Sequence, residues 1–138
     1  MNILFLCVGN SARSQIAEGL AKEMFGAKHN IKSAGSMPTG YVHEGALNTM
    51  NEIGIDISKQ NSKSIDDIED DFMKNLDYVI TLCAEEVCPV LNTNTKIINW
   101  ANEDPARNNI SINQTEIMFR KTRENIYNLL KNFLILNA

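Results

Sequence analysis

Residues 2–8, Asn-Ile-Leu-Phe-Leu-Cys-Val, hold the apolar run Ile3-Leu4-Phe5-Leu6 with no alternation of polar and apolar positions. A strand open to water on one face alternates; a continuous run of this length reads as a strand buried on both faces. Strands of that kind belong to parallel sheets, whose crossover connections are usually helical, and the chain supplies them. Residues 14–25 carry Ile16, Leu20 and Met24 at spacings of four and stop at Gly26, which predicts a helix. Residues 31–34 are a short second strand closed by Gly35. Residues 43–53 are a second helix with Ala46, Leu47 and Met50 inward, ending at Gly54. Residues 64–76 read as an acidic helix, 78–82 as a third buried strand and 96–99 as a fourth. Residues 113–136 are a long terminal helix. Asn113 and Glu116 are placed as its capping box, and Ile126, Leu130, Phe133 and Leu134 as its core stripe. The expected fold is α/β, a four-stranded parallel sheet with helices on both faces, in one domain over residues 1–138.

Charge and cysteine content narrow the function classes. Thirteen Lys and Arg against seventeen Asp and Glu give a net charge of -4, and no basic run offers a nucleic-acid footprint. No apolar stretch reaches membrane-spanning length, and Met1 leads into a strand without a basic leader segment. A cytoplasmic monomer with no nucleic-acid or membrane partner is expected. The three cysteines, Cys7, Cys83 and Cys88, are an odd number. That disfavours a disulfide framework and leaves catalytic, redox or metal roles.

In open parallel sheets, ligands bind at the carboxyl ends of the strands. Cys7, Cys83 and the stretch after Asn99 all stand at such ends and are expected to share one mouth. The first strand runs into Cys7-Val8-Gly9-Asn10-Ser11-Ala12-Arg13-Ser14 and then into a helix. Backbone N–H groups from Val8 to Ser14, together with the positive end of that helix, make a nest for a tetrahedral oxyanion. Gly9 is expected to let the backbone come close, and Asn10 tolerates a left-handed conformation. Five residues separate Cys7 from Arg13, enough for the chain to wrap the anion. The thiol then sits beneath the anion and the guanidinium forks onto two of its oxygens. The same positive field favours the nucleophilic thiolate, and Ser14 is placed to donate a further hydrogen bond to it. The plainer reading is a buried structural cysteine in a sharp turn.

The stretch CVGNSARSQIAEGL resembles the signature loop of the low-molecular-weight phosphotyrosine phosphatase fold, and more closely that of its arsenate reductase branch. The resemblance continues collinearly through SAG (residues 33–35), VHEGALNTMNEIGIDIS, DYVITLC (residues 77–83) and DPA (residues 104–106), most of the chain. Phosphatases of this fold usually carry Pro after the Arg-Ser pair and an aromatic after the late Asp-Pro; here those positions are Gln15 and Ala106. The resemblance implies an arsenate reductase coupled to a thioredoxin-type reductant, with phosphate or sulfate as oxyanion mimics. It implies a relay in which Cys7 attacks arsenate, Cys83 attacks the Cys7 sulfur as arsenite departs, and Cys88 then attacks Cys83.

Taken by residues alone, Cys83 and Cys88 stay open between a redox pair, two buried hydrophobes and zinc ligands with His29 or His43. If residues 84–88 are helical, they rise ~7.5 Å and turn ~500°. A disulfide needs Cα atoms within roughly 7 Å, so the pair bonds only once that turn unwinds. In the family the gap between these two cysteines is often longer.

Asp104, before Pro105, is restrained to an extended or turn conformation that can aim its carboxylate at the mouth. The resemblance implies a general acid, and the bland alternative is a turn residue. It also implies that Asn10 holds the loop with Ser33 and Glu18 behind it. Some relatives place a monovalent cation there, using an acidic residue where Lys63 falls. An ammonium at Lys63 can stand in, so neither a metal nor a cofactor is expected; ordinary surface charge is the competing reading. His43 is expected to start the second helix, and Trp100 to be a packing residue. Two rivals to the reductase remain, a low-molecular-weight protein tyrosine phosphatase with redox-protective cysteines and a catalytically idle binding module.

Overall fold

A computed structural model describes residues 1–84, 95–106 and 110–137. Four parallel strands, β1 (Asn2–Cys7), β2 (Asn30–Gly35), β3 (Tyr78–Thr81) and β4 (Lys96–Asn99), lie in the order β2-β1-β3-β4. The unbroken apolar run therefore lands on an inner strand, flanked on both sides. Cys7 pairs with Gly35 and Leu6 with Thr81, so the carboxyl ends of three strands open on one edge of the sheet.

The pleat of β1 divides the core. Ile3 and Phe5 point to a face covered by α1 (Arg13–Phe25), α2 (Glu44–Asn51) and α4 (Ile112–Leu136). Ile16, Leu20, Met50, Phe119, Ile126 and Leu130 pack there at no more than 1% exposure. Leu4 and Leu6 point to the other face, where Ile68, Phe72 and Leu76 cover them with help from α3 (Asp70–Lys74). Both faces are covered, as the uninterrupted apolar strand requires. Trp100 packs under the end of β4, edge-on to Phe133 at 5.9 Å and tilted against Phe5 at 6.4 Å. Leu134 and Met24 are only partly buried, at the margin of the core.

Three expected elements differ. The acidic helix over residues 64–76 is broken into a 3-10 turn, Ile65–Asp67, and the short α3. Ser64 Oγ accepts from the Asp66 amide at 3.2 Å and Asp67 accepts from the Ser64 amide at 3.2 Å. That reciprocal cap closes one turn, after which Ile68 is extended (ψ 136°) so that its side chain reaches the core. The capping box of the terminal helix is not Asn113 with Glu116 but Ser111 with Gln114, two residues earlier. Ser111 Oγ accepts from Gln114 N at 3.1 Å, and Gln114 Oε1 accepts from Ser111 N at 3.2 Å. The first strand also ends at Cys7 rather than Val8, because the Val8 carbonyl turns away to accept from Met37 N at 2.9 Å. The expected helical turn over residues 84–88 falls, from 85 onward, outside the described residues. Among the described residues no helix is long and apolar enough to cross a membrane.

Candidate active site

Residues 8–12 link β1 to α1 without a side-chain cap on the helix. The carbonyls of this loop are committed outside it: Val8 to Met37 N (2.9 Å), Gly9 to Thr39 N (3.0 Å) and Ser62 Oγ (3.2 Å), Ser11 to His43 N (2.8 Å). The Asn10 carbonyl accepts from Gln15 Nε2 at 3.0 Å. A trans peptide is planar, with N–H opposed to C=O. Each committed carbonyl therefore leaves the next amide, Gly9 through Ala12, pointing away from that carbonyl's partner.

Asn10 is the hinge of the turn. It is the one non-glycine residue with positive φ (46°) among the described residues, a conformation that asparagine tolerates better than most. Its buried side chain makes all four hydrogen bonds open to an amide. Nδ2 donates to Ser14 Oγ (2.8 Å) and Ser33 Oγ (2.9 Å), and Oδ1 accepts from Lys63 N (2.9 Å) and Gln15 Nε2 (3.1 Å). Asn10 donates to Ser14 Oγ, which stands 2.8 Å from Cys7 Sγ, so Ser14 can give its hydroxyl proton to a Cys7 thiolate. Ser33 passes its own proton to Glu18 Oε1 at 2.6 Å. Lys22 caps Glu18 Oε2 at 2.6 Å, and the Lys63 ammonium lies 3.8 Å from Oε1 while donating to Asn61 O at 3.0 Å. Burial holds Lys63 below the usual lysine range, and Lys22 and Lys32 add repulsion that Glu18 partly offsets. Glu18, Ser33 and Lys63 thus stand together behind the loop, with an ammonium against the carboxylate.

Cys7, Val8, Gly9, Ser11, Ala12, Arg13 and Asp104 line one cleft of about 510 Å³. Asn10 and Ser14, both fully buried, work from behind it rather than lining it. Arg13 is buried, and its Nη1 donates to the carbonyls of Asn102 (2.9 Å) and Leu82 (3.4 Å), which fixes the guanidinium between the ends of β3 and β4. Asp104 forms the expected turn, with Oδ1 accepting from Ala106 N at 2.9 Å, and the residue borders the cleft. Cys7 is a free thiol and Cys83 is disulfide-bonded. Cys83 is buried one residue beyond the position facing Cys7 on the neighbouring strand. Cys88 lies outside the described residues.

The tight glycine beside the loop is Gly35. At Gly9 an added Cβ would meet Thr39 Cγ2 at an ordinary 3.4 Å, so no protein atom crowds it. At Gly35 it would stand 2.3 Å from Val8 O and 3.0 Å from Asn10 N, so the close approach is between the loop and the end of β2. The opposite wall of the cleft, Met37, Thr39, Tyr41 and His43, was not singled out in the sequence as part of the site. The usable signal is that these residues follow β2, the partner of β1. His43 starts α2, with Nδ1 accepting from Gly45 N at 2.9 Å and its ring stacked on Phe119 at 5.0 Å.

This fold and cradle define a class. The chain belongs to the low molecular weight phosphotyrosine protein phosphatase family, whose pattern it matches over residues 2–137. Within that class, an arsenate reductase of Bacillus subtilis (strain 168) is 41% identical over 133 residues, 95% of this chain and 93% of the relative. A solved arsenate reductase in the phosphate binding state superposes with a TM-score of 0.79 at 32% identity, over 99% of this chain and 98% of that one. The thioredoxin-dependent arsenate reductase of Corynebacterium glutamicum superposes with a TM-score of 0.68 at 28% identity, over 96% of this chain and 61% of that one.

Proposed function

We propose that this protein is a cytoplasmic arsenate reductase that draws its electrons from a thioredoxin-type dithiol. The observation that carries the reading is the free Cys7 thiol at the floor of an amide-lined cleft, held by the Ser14 hydroxyl, with Cys83 at the end of the adjoining strand. The inner amides and Arg13 hold the arsenate oxygens. The Cys7 thiolate forms a sulfur–arsenic bond as one arsenic oxygen leaves, protonated to water by Asp104. The Cys83 thiolate then attacks the Cys7 sulfur. The sulfur–arsenic bond breaks, its electron pair reduces arsenic, and arsenite leaves with a Cys7–Cys83 disulfide formed. Attack by Cys88 on Cys83 frees the Cys7 thiolate and moves the disulfide away from the cleft, where the external dithiol reduces it.

Phosphate and sulfate share the tetrahedral shape of arsenate and are expected to compete for the cradle. Aryl phosphate hydrolysis is the second reading, favoured by the family and by a loop that cannot separate phosphate from arsenate by shape. Arsenate-dependent oxidation of thioredoxin, assayed beside hydrolysis of para-nitrophenyl phosphate, separates the two. Fast hydrolysis with no arsenate-dependent oxidation would overturn the reductase reading. Cys7→Ser is expected to abolish both activities, because a serine alkoxide is not accessible near neutral pH. Cys83→Ser is expected to stall before any disulfide forms, and Cys88→Ser to complete one turnover and accumulate Cys7–Cys83, read by peptide mapping after alkylation.

A further inference from the structure

Gln15 lies on the first turn of α1 with no exposed surface, yet it faces polar atoms rather than hydrocarbon. Its Nε2 meets three oxygens: Asn10 O at 3.0 Å, Asn10 Oδ1 at 3.1 Å and Asn61 O at 2.9 Å. An amide nitrogen has two protons, so one is shared and the group is held from three sides. Its Oε1 accepts from Gln60 Nε2 at 2.8 Å, and the same Gln60 nitrogen reaches the Gln15 carbonyl at 3.1 Å. Gln60 thereby fixes which end of the Gln15 amide faces the loop.

We propose that Gln15 is a positioning residue for the oxyanion cradle, clamped in turn by Gln60; this rests on the oxyanion-binding reading of the cleft. The clamp acts where the loop is least comfortable. Asn10 is held at φ 46°, and a non-glycine residue in that region costs roughly 1 kcal/mol or more. Inward-pointing amides also repel one another until an anion arrives. With Gln15 gripping both the carbonyl and the side chain of Asn10, the left-handed turn exists before binding, and the anion meets amides already aimed at it. Without the clamp, part of the binding energy goes into rebuilding the turn. Gln15 does not line the cleft, so its effect falls on anion affinity and on the setting of Cys7 through Asn10 and Ser14.

The test is isothermal titration of inorganic phosphate into the reduced protein, paired with thermal unfolding. Gln15→Met keeps the length and removes the donor; Gln15→Glu keeps the shape and sets a carboxylate against three oxygens. Phosphate affinity is expected to fall about tenfold in Gln15→Met, the scale of one or two lost hydrogen bonds, and further in Gln15→Glu. Gln60→Met, at a partly exposed position, leaves the loop contacts in place and is expected to lose about two- to threefold. Should the Gln15 variants fold poorly, Gln60→Met decides the matter alone. A lowered melting temperature with unchanged phosphate affinity, or equal losses in Gln15→Met and Gln15→Glu, would overturn the proposal and leave a packing role. Wild-type protein that binds no phosphate would instead overturn the cradle reading itself, and the proposal with it.

Discussion

Two helices that pack against each other bury different mixtures of side chain. The first two turns of α1 bury Arg13, Ser14, Gln15 and Glu18 beside the apolar Ile16, Ala17 and Leu20, while α4 buries mainly Phe119, Ile126, Leu130 and Phe133, with Thr122 and, on the side of α2, Arg123. Each of those four polar side chains on α1 has hydrogen-bond partners, since an unmatched buried group costs about 1–3 kcal/mol. Hydrogen bonds are directional, so this half of the molecule specifies an arrangement. Hydrocarbon burial is not directional, so α4 specifies that the sheet is covered but fixes little about the cleft. Stability and site geometry are therefore held by different helices, and substitutions should separate them.

The largest separation is expected from Leu130→Ala, which empties a fully buried site on α4 and should cost about 2–5 kcal/mol of unfolding free energy. Denaturant titration measures the loss, and phosphate affinity under folding conditions should be nearly unchanged. A large loss of phosphate affinity in that variant would break the division. Gly35→Ala should act on both quantities. Its Cβ would meet two backbone atoms, Val8 O and Asn10 N, which cannot rotate aside. About 1–3 kcal/mol of strain is expected, with a fall in phosphate affinity that Leu130→Ala does not show. The smallest effect belongs to the seam between α2 and α4. There Glu52 receives Arg120 (Nε 2.9 Å, Nη2 2.7 Å) and Arg123 (Nη1 2.8 Å). Hydrogen bonding from Arg120, then from Arg123, lowers its carboxyl pKa to about 2 from an ordinary 4.5. A depressed carboxyl pKa contributes stability that is present above the ordinary value and lost as pH falls through the depressed one. The acid limb of the stability curve between pH 4.5 and 2 should therefore flatten slightly in Glu52→Gln. The pair is exposed, so added salt should erase much of the difference.

The inner strands β1 and β3 were legible in the sequence because burial on both faces leaves an unbroken apolar run, and the loop because Cys7, Asn10, Arg13 and Ser14 follow one such run directly. The break at Ile68 was not legible: Ile68, Phe72 and Leu76 are spaced by four as in one helix, and only the local cap of Ser64 on Asp67 interrupts it. Nor was the second wall of the cleft. Whether Thr39 and His43 reach the loop depends on β2 lying beside β1, a matter of sheet order and not of local pattern. The Gln15 contacts with Gln60 and Asn61 span about 45 residues of chain, beyond the reach of any periodicity. Gln15 had drawn notice only as a departure from the proline of the phosphatases.

The inner place of β1 sets a timetable for synthesis. It is the first strand to be made, yet its second neighbour, Tyr78–Thr81, follows about 75 residues later. At ~5–20 residues per second on the ribosome, that gap is roughly 4–15 s. Through that interval Ile3 to Leu6 carry an apolar ribbon with one unpaired edge. Pairing with Asn30–Gly35 can come early, but the face beneath Phe5 closes only when Ile112–Leu136 has emerged. The nascent chain therefore depends on the last helix made to shelter the first strand made, and a ribosome stalled before that helix would hold out an aggregation-prone sheet.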